Sequence, residues 1–146
     1  MKKVLLVLSL LGAVGIVLTG VFRKERMDGS LQILSLIAGD SRKSIVVFFH
    51  PECDICHRLV RKLDSMQLDG YTVIFVAPVS EAVADSALLE YWKFHGCYQF
   101  VCDSVQRLAD KLQIDYIPTT YVVHGNYYRK YLGDGCEFWE LMKIEQ

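Results

Sequence analysis

The chain has 146 residues, a formal net charge of −1 and a hydrophobic fraction of 52%. That length accommodates one domain and leaves little for a second. The near-neutral balance, with no basic stripe beyond the flanks of one apolar run, excludes a nucleic-acid binder.

Much of the hydrophobic excess lies at the N-terminus. Lys2 and Lys3 precede an apolar run over residues 4–22, broken only by small residues, Ser9 and Thr19. Its length approaches the ~20 residues that cross a bilayer and exceeds the ~7–15 of a signal-peptide core. The run has no polar face, so it needs an apolar environment all round. Ala13 and Gly15, the small residues a cleavage site would want, lie inside it. Residues 1–22 therefore read as a signal-anchor, with a cleaved signal peptide as the alternative. Lys2 and Lys3 on one side nearly balance Arg23, Lys24 and Arg26 on the other, so the positive-inside rule does not orient the run. Five cysteines, two of them in Cys-x-x-Cys, suit an oxidising exterior. The expected location is the cytoplasmic membrane, anchored through residues 4–22, with the domain on the periplasmic or extracytoplasmic side. Cleavage would instead release a secreted domain.

Residues 23–30 are charged and polar and read as a linker. Leu31, Leu34 and Ile37 recur at helical spacing, closed by Gly39-Asp40. Residues 45–49 form a continuous β-branched and aromatic run, the pattern of a strand buried on both faces. After His50-Pro51-Glu52 the period changes. Cys56, Leu59, Val60 and Leu63 take helical spacing. Residues 71–77 are a second buried strand, ended by Pro78. Residues 80–95 are helical, with a cap at Ser80 and a stop at Gly96. A short strand over 98–102 follows, then a helix over 103–112 capped by Asp103 or Ser104. A strand over 119–123, a Gly125-Asn126 turn and a partner strand over 127–132 form a hairpin. Gly133 and Gly135 break the chain before a last helix over 136–144. The alternation predicts an α/β fold: a central sheet with parallel strands, helices on both faces, and an antiparallel hairpin at the end.

Cys53-Asp54-Ile55-Cys56-His57 lies at a strand-to-helix junction. As Cys-x-x-Cys it is a dithiol site; with His57 it also matches a c-type haem attachment motif. The haem reading needs His57 as an axial ligand, opposed by His95, His124, Met66 or Met142. It leaves the later Ile117-Pro118-Thr119 unexplained. A zinc site through Cys53, Cys56, Cys97 and Cys102 is a further alternative.

The junction Phe48-Phe49-His50-Pro51-Glu52-Cys53-Asp54-Ile55-Cys56 resembles the active site of the thioredoxin superfamily. Tyr116-Ile117-Pro118-Thr119-Thr120-Tyr121 resembles its cis-proline loop and following strand, and Gly125-Asn126 with Tyr131-Leu132-Gly133 its closing hairpin. The resemblance covers residues 31–146, which it makes a thioredoxin-like domain. With an anchor ahead of it, the chain is similar to membrane-anchored TlpA/ResA-type thiol–disulfide oxidoreductases. The resemblance implies disulfide exchange with protein thiols and disulfides, an upstream redox donor or acceptor, and no cofactor beyond the Cys53–Cys56 disulfide. It implies a reductive direction like that of cytochrome c maturation, a cis bond at Pro118, and pairing of substrate with the Ile117–Thr119 loop. A non-catalytic binding module with a structural disulfide is the alternative.

At the helix N-terminus, unsatisfied N–H groups and the helix dipole favour a Cys53 thiolate. Asp54 opposes it. Cys53 attacks, and Cys56 resolves the mixed disulfide. Three positions depart from the superfamily. Glu52 stands where Trp is frequent, Val47 where a buried acid assists proton transfer, and Leu59 where some relatives carry an acid. Glu52, His50 and His57 remain as candidate modulators or bases. Cys97 and Cys102 are candidates for a second disulfide, and Cys136 reads as a core residue.

Overall fold

The computed structural model describes residues 25–26, 32–39, 41, 43–66 and 68–135. The apolar run over 4–22, the helix over 136–144 and Cys136 lie outside them. No helix among the described residues is long and apolar enough to cross a membrane.

The elements are β1 (Glu25–Arg26), α1 (Gln32–Ala38), β2 (Lys43–Phe48), α2 (Asp54–Asp64), β3 (Thr72–Ala77), α3 (Glu81–Asp85), β4 (Tyr98–Cys102), α4 (Arg107–Lys111), β5 (Thr119–His124) and β6 (Tyr127–Leu132). One mixed sheet has the order β1-β6-β5-β2-β3-β4. Strands β2, β3 and β4 are parallel; β5, β6 and β1 complete it antiparallel. The two-residue β1 lies in the stretch read as a linker.

The unbroken apolar runs of β2 and β3 follow from their central position. Ile45, Val47 and Phe49 join Val73, Phe75 and Ala77 beneath α2 and α3. Val46 and Phe48 join Ile74 and Val76 against Leu34 of α1 and Leu112 beyond α4. Side chains alternate across a strand, so a strand covered on both faces has no polar positions to show. Ser44 is the exception, fully buried within β2.

Two helices differ from their sequence patterns. The helix over 80–95 is shorter: after α3 the chain widens into a π-helical turn, Ser86–Tyr91. The Phe94 N–H then reaches back to the Leu88 carbonyl (2.8 Å) while Lys93 takes a left-handed φ of 55°. Lys93 thus holds the left-handed position that glycine usually takes at the end of a helix. Gly96 is needed for a different reason: a Cβ there would lie 2.7 Å from the Phe94 ring. Ser80 occupies the N-cap position, but its side chain makes no capping bond. The helix over 103–112 shortens to α4. Asp103 caps it from a distance, its carboxylate accepting from Leu108 and Ala109 N–H at 3.0–3.1 Å.

Candidate active site

β2 delivers the chain to the site. The Phe49 N–H donates to the Val76 carbonyl, extending the ladder past the strand's end. A turn follows, in which the Cys53 N–H donates to the His50 carbonyl (3.1 Å) and the Glu52 N–H to His50 Nδ1 (3.3 Å). Nδ1 is thus an acceptor, which leaves the proton of neutral His50 on Nε2. Cys53 then becomes the N-cap of α2. Its backbone is extended and its Sγ accepts the Cys56 N–H at 3.2 Å. Sulfur here takes the place of the hydroxyl or carboxylate oxygen usual at this position.

Cys53 and Cys56 form a disulfide across the first turn, with Cα atoms 5.2 Å apart. Cys53 is half-buried and Cys56 fully buried. Cys53 is therefore the more accessible of the two residues. When the bond opens, the N–H groups of an eleven-residue helix favour negative charge on Cys53. Asp54, exposed in the same first turn, competes for that field.

The second wall comes from the far end of the chain. Phe48 pairs with Thr119, so the segment leading to Cys53 and the loop entering β5 lie side by side at one end of the sheet. The Ile117–Pro118 bond is cis. Pro118 and Thr119 are buried, while Ile117 keeps its side chain partly in solvent. Two bonds hold the loop. The Thr119 hydroxyl donates to the Tyr116 carbonyl, and the Gly133 N–H donates to the Pro118 carbonyl at 2.8 Å. A cavity of about 180 Å³ opens between His50, Ile117 and Asp103, over the apolar floor of Phe48 and Val76.

Behind the disulfide the surroundings are apolar. Val47 and Leu59 are 0% and 1% exposed and pack in the same cluster as Cys56. The buried polar residues among those described are Ser44, Asp103, Thr119 and Thr120. Asp103 is the only carboxylate of the four, and its oxygens are occupied in capping α4. Glu52 is exposed. His57 stacks on Trp92, centroids 5.6 Å apart and planes within 13°, so packing accounts for it.

Cys97 and Cys102 require a correction. Both are exposed and free, at the two ends of β4. Five residues of extended chain separate them by roughly 16 Å, more than twice the separation a disulfide tolerates. The same strand disperses the zinc set, and no group of three or more metal-ligating side chains occurs among the described residues.

Sequence reasoning missed the clamp at the rear of α2. Arg58 Nε donates to Asp134 Oδ2 (2.9 Å) and Lys62 Nζ to the Asp134 carbonyl (2.7 Å). The neighbouring Arg58 guanidinium is the main reason the Asp134 carboxyl lies below its ordinary range. Asp64, at the end of α2, is lowered in the same way by its bonds from His95. The basic residues at i and i+4 on α2 were the only available signal for the clamp.

No family model and no curated protein matches the sequence. Solved structures do match. StoA from Bacillus subtilis aligns at 18% identity over 75% of this chain and 87% of its own, with a TM-score of 0.57. The thioredoxin domain of a thiol-disulfide oxidoreductase from Bacteroides vulgatus aligns at 19% identity, 71% and 79% coverage, and a TM-score of 0.57. An exposed lipoprotein thioredoxin from Streptococcus pneumoniae aligns at 16% identity, 72% and 84% coverage, and a TM-score of 0.53. The chain has a thioredoxin-like fold.

Proposed function

We propose that this protein is a thiol–disulfide oxidoreductase that exchanges disulfides with protein partners outside the cytoplasm, held to the membrane through residues 4–22. One observation carries the reading: a half-buried cysteine at a helix N-cap is bonded to a fully buried one, beside a cis-proline loop. The Cys53 thiolate attacks a partner disulfide and forms a mixed disulfide. Cys56 then attacks Cys53, releasing the reduced partner. The disulfide itself carries the two electrons, and no further cofactor is invoked. The exposed lipoprotein named above is one support for the location; the cysteine usage is the other.

The direction we propose is reductive. Apolar burial around Cys56 disfavours its thiolate, which makes the disulfide the better-satisfied state and the dithiol a donor of electrons. Substrate backbone would pair along the Ile117–Thr119 loop. Glu52 and Asp54, both exposed, and His57 act at most as modulators.

The test is Cys56→Ser in the full chain. Partners held covalently through Cys53, together with insulin reduction by the wild type, support exchange. If the variant traps nothing and the wild type does not reduce insulin, the disulfide is structural and the protein is a binding module.

A further inference from the structure

Thr120 is 1% exposed, and its Oγ1 has no hydrogen-bond partner among the described residues. A buried hydroxyl left unpaired is costly, and such groups call for an explanation. Its position supplies one. Thr120 pairs with Val47 on one side and with Tyr131 on the other. Directly paired residues share a face of the sheet, as do residues two apart on a strand. Val47 belongs to the cluster that contains Cys56, and Val122 and Tyr131 pack against that cluster. Thr120 is therefore set among side chains that pack around Cys56, two residues beyond the cis proline, on the face that α2 covers.

We infer that Thr120 is a positioning residue for the dithiol: its hydroxyl hydrogen-bonds the Cys56 sulfur once the disulfide is open. Closed, the bond fixes Cys56 and leaves Oγ1 without a partner. Opening frees the Cys56 χ1 torsion and creates a buried thiol or thiolate that needs a donor. His50, Glu52, Asp54, His57 and Tyr131, the ionisable groups around the site, all keep some solvent exposure. On this face Thr120 offers an unpartnered hydroxyl buried as deeply as Cys56. The inference rests on the proposed dithiol chemistry and adds a residue to it.

Reduction by glutathione measures the effect without any protein substrate. Two glutathione thiols are oxidised to one glutathione disulfide, the Cys53–Cys56 bond breaks, and both sulfurs end protonated or as thiolate plus a released proton. Thr120→Val removes the hydroxyl at nearly constant shape. Because the bond exists only in the reduced state, its loss shifts the equilibrium toward the disulfide, by about fivefold for a bond to the buried Cys56 thiol. Thr120→Ser keeps the hydroxyl and stays within about threefold of wild type. Ser44→Ala is the control. Ser44 also has a buried, unpartnered hydroxyl, but it pairs with Val123 and Thr72 at the other end of β2. Its removal leaves the equilibrium unchanged, because it affects both redox states alike. An equilibrium constant for Thr120→Val equal to wild type, or a shift matched by Ser44→Ala, overturns the assignment and leaves the oxidoreductase reading intact. A wild-type disulfide that neither glutathione nor excess dithiothreitol opens in the folded protein overturns both.

Discussion

Val47 is the residue on which the chemistry of this site turns. It stands fully buried where an acid could take the proton of Cys56, and a valine can neither accept nor donate one. Val47→Asp places a carboxyl next to Thr120 across the β2–β5 pair. Burial without a countercharge pushes that carboxyl upward, toward the range in which a base works at neutral pH. The oxidised variant loses about 2–4 kcal/mol of stability in denaturant unfolding, from one incompletely paired polar group in the core. Release of a mixed disulfide by Cys56 quickens in return. A folded variant that releases no faster than wild type would show that proton removal does not limit the resolving step.

At the scale of elements, Gly96 tests the account of how α3 ends. Lys93 turns the chain so that Phe94 enters the core against Phe75 and Tyr98. Gly96 folds back over the Phe94 ring. Gly96→Ala forces that ring to move, at a cost of about 1–3 kcal/mol; a thermal midpoint unchanged from wild type would mean that Phe94 can yield freely. Tyr98 completes the same corner. Burial, with Asp85 accepting its hydroxyl proton at 2.6 Å, raises its ionisation well above the usual phenol range. How much of this was legible depended on the range of the signal. β2, β3 and the hairpin were readable because each strand's burial is written in its own residues. Cys53–Cys56 and Ile117–Pro118 were readable as local motifs. The π-helical turn was not, since it places Trp92 and Phe94 in the core by a change of winding that residue types do not reveal. The Cys97–Cys102 pairing looked close only when distance was counted in residues. Thr120 beside Val47 is a matter of strand register between distant segments, and nothing local to either announces it.

Across the whole molecule, the turn after β6 holds both halves of the site. The Gly133 N–H binds the carbonyl of Pro118, and Asp134 binds Arg58 and Lys62 on the helix that carries the cysteines. Asp134 therefore links the site's geometry to pH. Its folded ionisation lies below the unfolded value, so its charge stabilises the fold above the ordinary carboxylate range. That contribution falls away as pH drops through the lowered folded value. Asp64 with His95 acts in the same sense. The Arg58 side chain is 57% exposed and that of Asp134 is 27% exposed, so solvent screening keeps the pair under about 1 kcal/mol. Asp134→Asn keeps the backbone carbonyl for Lys62 and removes the charge. It lowers stability by that small amount at pH 7, by less in high salt, and by less at acid pH, as protonation of the carboxyl removes the difference. The measurement is denaturant unfolding at the two pH values. A deficit of the same size at both would assign Asp134 a purely geometric role, with its charge idle.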